Sequence, residues 1–234
     1  GGVAPEASWR FVHRPGTRHV YQFTFVGSLR RGEASSSFRL SGDLALTDQP
    51  GGWTALSVIA PQLASVKSDG VELLADPKTT ARLFRTSSLR FRRDETGAIV
   101  AREAAPGCDP LFAQLGSMLL GELAIADTGS SAHDGALGFG PSRFSLDGRT
   151  LTRTREGYDV LLSAPDGADV VITSSFDATL HPAGFVESLT GEEAVTGDVG
   201  ARVAVDLQFL RSERADVADA QVGTPLPPLR DVAA

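Results

Sequence analysis

One stretch decides the fold: Cys108-Asp-Pro-Leu-Phe-Ala-Gln-Leu-Gly-Ser-Met-Leu-Leu-Gly-Glu-Leu-Ala-Ile-Ala126. Asp109 can accept hydrogen bonds from the free amides of a first helical turn, and Pro110 suits the first helical position because no partner for its N–H is needed there. Apolar residues then recur at the i, i+3, i+4, i+7 spacing of a helix and occupy nearly every face. Because such a helix must be surrounded by other elements, we predict a central buried helix over residues 109–126.

Six apolar residues of this helix are expected to form core contacts or to touch an apolar ligand: Leu111, Phe112, Leu115, Met118, Leu119 and Leu123. The stretch offers about 18 residues, or roughly 27 Å of helix, which is at the short end for a membrane span. Gly116, Gly121 and the polar residues of the stretch argue further against a span. We therefore predict no transmembrane segment and keep a helix lying on a membrane surface as the alternative.

Strand patterns lie on both sides of the helix. Tyr21, Phe23 and Phe25 alternate with polar residues, which is typical of a half-buried strand. Before the helix, the predicted strands are 19–27, 37–46, 53–59, 63–66, 88–93 and 98–102, with a short helix or a connection at 77–84. After it, they are 142–146, 150–154, 158–163, 169–180, 185–190 and 201–210, with an exposed loop containing His133 at 127–140 and a hairpin turn at 165–167.

Strands in this number need closure or a second sheet, because a large open sheet leaves unpaired edges. A barrel with the helix inside accounts for both the strands and the helix. The predicted fold class is therefore mainly β: an antiparallel β-barrel of about 10–13 strands around one central apolar helix. We assign the barrel to residues 9–214, leader or added residues to 1–8, and a Pro/Ala-rich linker or tail to 215–234.

The composition is typical of one globular domain. The chain has 234 residues, of which 41% are hydrophobic and 22% charged. Cys108 is the single cysteine, so no disulfide can form within the chain. Only Lys67 and Lys78 of the 22 basic residues are lysines, a bias typical of GC-rich bacterial genomes. No signal-peptide pattern opens the printed sequence, and the compartment stays open.

Several short motifs follow one another in a distinctive order across residues 9–210. They are Pro15-Gly16 before an aromatic strand, Gly97 before Ile99-Val100, the proline at the helix start, the hairpin 143–154, and the acidic pair Glu192-Glu193 near the end of a later strand pair. This order resembles the N-terminal domain of the large lipid transfer proteins, the family of vitellogenin, apolipoprotein B and the microsomal triglyceride transfer protein. The chain looks like a bacterial, disulfide-free version of that domain.

The resemblance implies a non-enzymatic module that docks partners or helps to organise a lipid-bearing assembly. It also implies lipid as a partner, further domains in a longer chain, and an exported location, periplasmic or extracellular. Two departures limit what it carries over. The animal members' barrels contain disulfides, and their lipid cavity is built mostly from a following helical domain and further sheets that this chain lacks.

The search for chemistry favours a non-enzyme. The four histidines share no metal-binding spacing, and no nucleophile elbow, phosphate loop or dinucleotide fingerprint occurs. Glu192-Glu193 is the candidate acid/base pair, but adjacent strand residues face opposite ways, so we expect a solvated strand edge. We therefore predict no catalytic residues, no metal and no cofactor, and keep a hydrolase with dispersed residues as an alternative.

An arginine-rich segment is the stronger functional lead. Between Pro77 and Asp94 the chain has six basic and no acidic residues. We expect contact with an anionic headgroup or an acidic protein partner, since guanidinium groups bind carboxylates and phosphates in pairs of hydrogen bonds; the candidates are Arg82, Arg85, Arg90, Arg92 and Arg93. Nucleic acid is not expected, because the chain carries a net charge of −7.

Three function classes stay open at this point: a docking module of lipid-transfer type, a barrel that binds an apolar small molecule beside the helix, and a hydrolase. The interior volume separates the first two. If the apolar helix residues fill the interior, no ligand fits there, and we expect that filling because a helix occupies much of the lumen.

Overall fold

Long antiparallel strands dominate the computed structural model, which describes residues 9–125, 129–155, 157–161, 167–217 and 223–226, with the backbone alone for 129–134 and Val160. The described strands are β1 (Thr17–Arg31), β2 (Ala34–Asp48), β3 (Trp53–Ser68), β4 (Val71–Glu72), β5 (Leu89–Arg93), β6 (Ile99–Ala104), β7 (Gly129–Asp134), β8 (Gly138–Asp147), β9 (Thr150–Thr154), β10 (Val160–Leu161), β11 (Val170–His181), β12 (Phe185–Gly197), β13 (Gly200–Arg214) and β14 (Thr224–Pro225). The helices are α1 (Pro77–Thr86) and α2 (Pro110–Leu123). The fold is mainly β, as predicted.

The central strands follow the period of two that the sequence predicts. In β1, Tyr21, Phe23 and Phe25 are buried, and the residues between them are exposed. In β2, Phe38, Leu40, Gly42 and Leu44 are buried in alternation, and Gly42 lies opposite a bulge in β3, where its φ is 144° and a Cβ would lie 2.2 Å from the carbonyl oxygen of Ala60. Only glycine fits such a position, so the bulge bends the sheet at a place the sequence marks.

The strands form one antiparallel sheet in the order β10-β8-β9-β11-β12-β13-β1-β2-β3-β5-β6-β14, with β4 on β3 and β7 on β8. Within the described residues this pairing has two ends, and no ladder joins them. Closure into a barrel therefore stays a prediction. α2 connects β6, near one end of the sheet, to β7, at the other.

Both helices begin as their sequences indicate. The Asp109 side chain accepts a hydrogen bond from the Leu111 amide at 2.8 Å, and Pro110 opens α2. In the same way, Asp76 caps α1, which resolves the helix-or-connection alternative at 77–84 in favour of a helix. Burial of the α2 residues within the main apolar cluster confirms the predicted buried helix, which ends at Leu123.

Close glycine contacts hold α2 against the strands and their connections. A Cβ at Gly116 would lie 2.4 Å from the Leu89 side chain of β5. A Cβ at Gly121 would lie 2.4 Å from the backbone of Gly135, just before β8. The helix therefore approaches both neighbouring regions at distances that any side chain would prevent.

Three details of the strand prediction were wrong. The predicted strands 53–59 and 63–66 are one strand, β3, in which bulges absorb the break around Pro61. The predicted exposed loop 127–140 contains β7 and the start of β8. The predicted hairpin turn at 165–167 lies mostly outside the described residues and stays a prediction; within them, β10 pairs with β8, and β11 pairs with β9 and β12. Thr224 and Pro225 pair with β6, although we expected the tail to lie outside the ladder. The domain boundaries stay predictions.

We predict that Leu115→Asp unfolds the domain or leaves it without fixed packing. Leu115 is buried in the main apolar cluster, and an unpaired carboxylate there should cost several kcal/mol. Gln114→Asp is the matched control, because Gln114 is exposed on the same helix. Thermal melts followed by circular dichroism should show loss of the transition for the first variant and a small shift for the second. A near-silent Leu115→Asp would contradict the buried position of α2.

Candidate functional site

The six apolar candidates on α2 contribute to packing. Phe112, Leu115, Leu119 and Leu123 are buried in the main cluster, and Leu111 and Met118 are half-buried against it. Phe112 also meets Phe84 of α1 edge to face, with ring centroids 6.1 Å apart. These contacts account for the apolar pattern of the helix, and contact with an apolar ligand stays a prediction.

The arginine-rich segment divides into three separate environments. Arg82 and Arg85 lie on the exposed side of α1 together with Lys78, while Leu83 and Phe84 face the core. All three basic residues line one shallow depression. No ion pair holds Arg82 or Arg85 within the described part of the chain. This group, Lys78, Arg82 and Arg85, is called the α1 basic face below.

Arg90 and Arg92 lie on the outer side of β5, above Trp53 of β3. The Arg90 guanidinium carbon is 4.2 Å from the centre of the Trp53 ring, and that of Arg92 is 5.4 Å from it. Arg90 also forms an ion pair with Glu103 of β6 at 2.5 Å. Its charge is thus already neutralised by a cross-strand neighbour, which leaves Arg92 as the more accessible of the two.

Arg93 lies on the opposite face of β5 from Arg90 and Arg92. Successive strand residues face opposite sides, so Arg93 shares the inward face with Leu89 and Phe91, and the register shift at this point leaves Val100 of β6 unpaired. The Arg93 guanidinium carbon lies 3.8 Å from the ring centre of Phe11 and 4.8 Å from that of Phe91. It lines a cavity of about 210 Å³ together with residues of the N-terminal segment and β1. The structure does not bring Arg93 together with the α1 basic face.

A buried ionic cluster is the feature that the sequence interpretation missed. One guanidinium nitrogen of Arg153, in β9, lies 3.1 Å from a carboxylate oxygen of Glu122 in α2 and 3.2 Å from one of Glu193 in β12. The side chains of all three residues are fully buried. The guanidinium carbon also lies 4.6 Å from the centre of the Phe176 ring. Arg153 therefore connects the helix to the sheet inside the core.

Further partners surround Glu193. Arg155 pairs with it at 2.9 Å, Tyr158 donates a short hydrogen bond to its second oxygen, and Ser174 lies 3.4 Å away. The expected solvated edge at Glu192-Glu193 was therefore wrong for Glu193, although Glu192 is exposed and pairs with Arg202. The alternation of strand faces explains the difference, since the two side chains point to opposite sides of the sheet.

The two buried carboxylates differ in protonation. Burial raises the pKa of Glu122 from an ordinary 4.5 to about 8, and the single contact with Arg153 only partly opposes this. Burial also disfavours the charge on Glu193, but Arg153 and Arg155 outweigh it and hold the pKa of Glu193 below its ordinary value. At neutral pH, Glu193 is the anion of the cluster and Glu122 is mostly protonated.

Periodicity was the signal that could have found this cluster. Leu189, Glu193 and Val195 fall on one face of β12, and Arg153 shares a face of β9 with Leu151. Glu122 lies three residues after Leu119 on the buried side of α2. On each of these three elements, a charged residue falls on the same face as the buried apolar residues. Buried charges are rarely left unpaired, so this pattern indicates that the three residues pair with one another in the core.

The described residues contain no group of three metal-ligating side chains. Among the same residues, no helix is both long and apolar enough to span a membrane. His133, expected in an exposed loop, belongs to β7, where only the backbone is described.

We predict losses of stability of different size for two conservative changes in the cluster. Glu193→Gln removes the anion that two guanidinium groups share and should cost about 3–5 kcal/mol of unfolding free energy. Glu122→Gln replaces a mostly protonated carboxyl by a neutral group of the same shape, so it should cost far less. Denaturant unfolding at neutral pH measures both, and equal losses would contradict the assigned protonation.

The pH dependence provides a second prediction. The folded pKa of Glu122 is raised, so its contribution to stability is fully present below the unfolded value of about 4.5 and is lost as pH rises through about 8. The stability of Glu122→Gln relative to wild type should therefore increase from pH 5 to pH 8, by roughly 2–4 kcal/mol. A difference that stays constant over this range would mean that Glu122 is ionised in the folded protein.

Comparison with known proteins supports the fold. No family model and no curated protein matches the chain. Among solved structures, it is similar to one of lipovitellin that concerns lipid–protein interactions, with a TM-score of 0.67 at 11% sequence identity. The match covers 93% of this chain and 28% of the lipovitellin chain, so this chain spans little more than a quarter of that protein. At the level of fold, the chain is therefore similar to lipovitellin.

Proposed function

We propose that this chain is a non-enzymatic module of lipid-transfer type that docks on an anionic, lipid-bearing surface through the α1 basic face. The single observation that carries the proposal is the arrangement at this face, where unpaired basic residues adjoin exposed apolar ones. The lipovitellin-like fold supports a role related to lipid binding or transfer.

The charge at this face is available for binding. Lys78, Arg82 and Arg85 are exposed and stand on one side of α1. Asp76 is committed to the helix N-terminus, where it accepts hydrogen bonds from Lys78 N–H and the Thr79 hydroxyl. A basic residue near an anionic membrane contributes about 1 kcal/mol to binding.

Apolar side chains stand immediately before the helix. Val71 is 63% and Leu73 54% exposed, which is high for large aliphatic residues. Earlier in the chain, Ile59 of β3 is also exposed, and it lines a groove together with Arg85. Basic residues beside apolar ones are the combination that binds the interface of an anionic bilayer, whereas an acidic protein partner requires only the charges.

The packing of α2 favours docking over storage of an apolar molecule beside the helix. Phe112, Leu115 and Leu119 contact the inward residues of the sheet within one continuous cluster. Glu122 and Glu193, the carboxylates nearest to an acid/base pair, are both fully buried. A docking role also fits a module of a larger assembly. The proposal includes a closed barrel, further domains in a longer chain and an exported location.

The test compares two triple variants of equal charge change. Lys78→Ser, Arg82→Ser and Arg85→Ser together should weaken binding to vesicles of phosphatidylcholine and phosphatidylserine by tenfold or more, given about 1 kcal/mol per residue. The control combines Arg30→Ser, Arg31→Ser and Arg39→Ser, which are exposed on β1 and β2. Flotation at low and high salt measures both, and wild-type binding should fall with salt.

Three outcomes would contradict the proposal. Equal losses in the two triple variants would show a general charge effect. Wild-type binding that is the same with and without phosphatidylserine would exclude headgroup charge as its cause. Capture on polyglutamate beads with no vesicle binding would favour an acidic protein partner.

Val71→Ser with Leu73→Ser should weaken vesicle binding at high salt as well, because the apolar contribution is not screened.

A further inference from the structure

A small cavity lies under the N-terminal segment, at the end of β1 opposite its turn to β2. The backbone of Val12 donates a hydrogen bond to the carbonyl of Gly184 at 2.9 Å, and Trp9 donates one to His181 at 2.8 Å. These bonds hold residues 9–12 across the connection between β11 and β12. The cavity of about 210 Å³ has a buried floor that includes Tyr21 and an exposed rim that includes Val12, so it is accessible from solvent.

Arg93 is a cation in this cavity that lacks a direct ion pair, and the nearby charge of Asp48 only partly offsets its burial. Its Nε is buried and has no hydrogen-bond partner, and no carboxylate of the described residues forms an ion pair with it. The guanidinium group is stacked on Phe11 and Phe91 instead. Burial lowers the pKa of Arg93 to about 10, so the group is still charged at neutral pH. A buried charge without an anion is costly, and a bound anion would remove that cost.

The other polar groups of the lining are already engaged. Asp48 accepts hydrogen bonds from the Arg14 amide at 2.9 Å and the Thr54 hydroxyl at 3.1 Å. Tyr21 donates its hydroxyl to the carbonyl of Val186 at 2.6 Å. His19 contacts the Ser212 hydroxyl at 2.8 Å. An incoming ligand would therefore find Arg93 as its main polar contact.

Asp94 and His13 also line the cavity. Asp94 accepts hydrogen bonds from the Thr96 and Ala98 amides, and His13 contacts the Gln49 carbonyl at 2.7 Å.

The apolar part of the lining comes from Phe11, Val12, Leu46 and Phe185, and Phe185 is further held by stacking on His19. The volume lies below the roughly 300–1,000 Å³ of sites for drug-sized ligands, which limits the ligand to a small molecule. The charges of Asp48 and Asp94 disfavour a ligand with two negative charges.

From these observations we propose that the cavity binds a small apolar monocarboxylate, of aryl or short-chain type, with its carboxylate on Arg93 and its apolar part against Phe11 and Phe185. The planar guanidinium matches a carboxylate through two parallel hydrogen bonds. This site is independent of the α1 basic face and of the docking function proposed above.

The test uses the intact chain and pairs of ligands that differ in charge but not in shape. Benzoate and hexanoate should bind with dissociation constants of roughly 0.1–1 mM, as is usual for ligands of this size. Benzamide and hexanamide should bind at least about tenfold more weakly, because a hydrogen bond to a charged group is lost. Amide chemical shifts in an NMR titration should change at residues 11–12, 21, 93 and 185.

A matched pair of variants locates the charge. Arg93→Gln should weaken benzoate binding by about 10- to 100-fold and leave benzamide binding nearly unchanged. Arg92→Gln is the control, since Arg92 is exposed above Trp53 on the neighbouring position of β5, and it should bind benzoate as wild type does. Thermal melts show whether Arg93→Gln is folded, and the wild-type comparison of acid with amide decides the proposal if it is not.

Four results would overturn the proposal. The first is no binding of benzoate or hexanoate up to about 10 mM, which corresponds to a negligible affinity. The second is equal binding of acids and amides by wild type. The third is a shift pattern that maps to α1 rather than to the cavity. The fourth is tighter binding of inorganic phosphate than of benzoate, which would assign the cavity to a different class of anion.

Discussion

The contact of Arg153 with Glu122 and Glu193 is the constraint on which the rest of the interior depends. A guanidinium group in an apolar core must be paired, and here its two carboxylates come from the central helix and from a strand of the sheet. The rotation of α2 about its axis and its position along that axis are therefore limited to those that keep Glu122 beside Arg153. Hydrophobic packing alone would permit more than one register of so apolar a helix.

Glycines make this contact geometrically possible. A Cβ at Gly191 would lie 2.8 Å from the Glu122 carboxylate, so the absence of a side chain on β12 provides the space that the carboxylate occupies. Gly121, next to Glu122, allows the helix to approach the backbone of Gly135. The ionic contact and the close approach of the helix thus depend on the same stretch of α2. Their combination explains how one apolar helix can have a single position in the core.

On the surface, secondary structure separates residues that are adjacent in sequence. A single basic segment is divided between a helix, the outer face of a strand and the inward face of the same strand, where Arg93 lines a cavity. The helix period groups Lys78, Arg82 and Arg85 on one exposed side, and the strand period keeps Arg90 and Arg92 above Trp53. One segment consequently contributes to both surfaces that we propose for anion binding, the exposed α1 basic face and the small cavity.

The sequence by itself determined the mainly β class, the capped start of α2, the burial of α2 and the alternation of the long strands, because each depends on neighbours a few residues apart. It also named the basic residues of the α1 face. Only the tertiary structure decided that β10 pairs with β8, that Arg93 lies beside Phe11 in a cavity, and that Glu193 lies in the core with Arg153 and Glu122. These features join residues about 20 to 80 positions apart, and local patterns hold no information about which distant charge compensates a buried one.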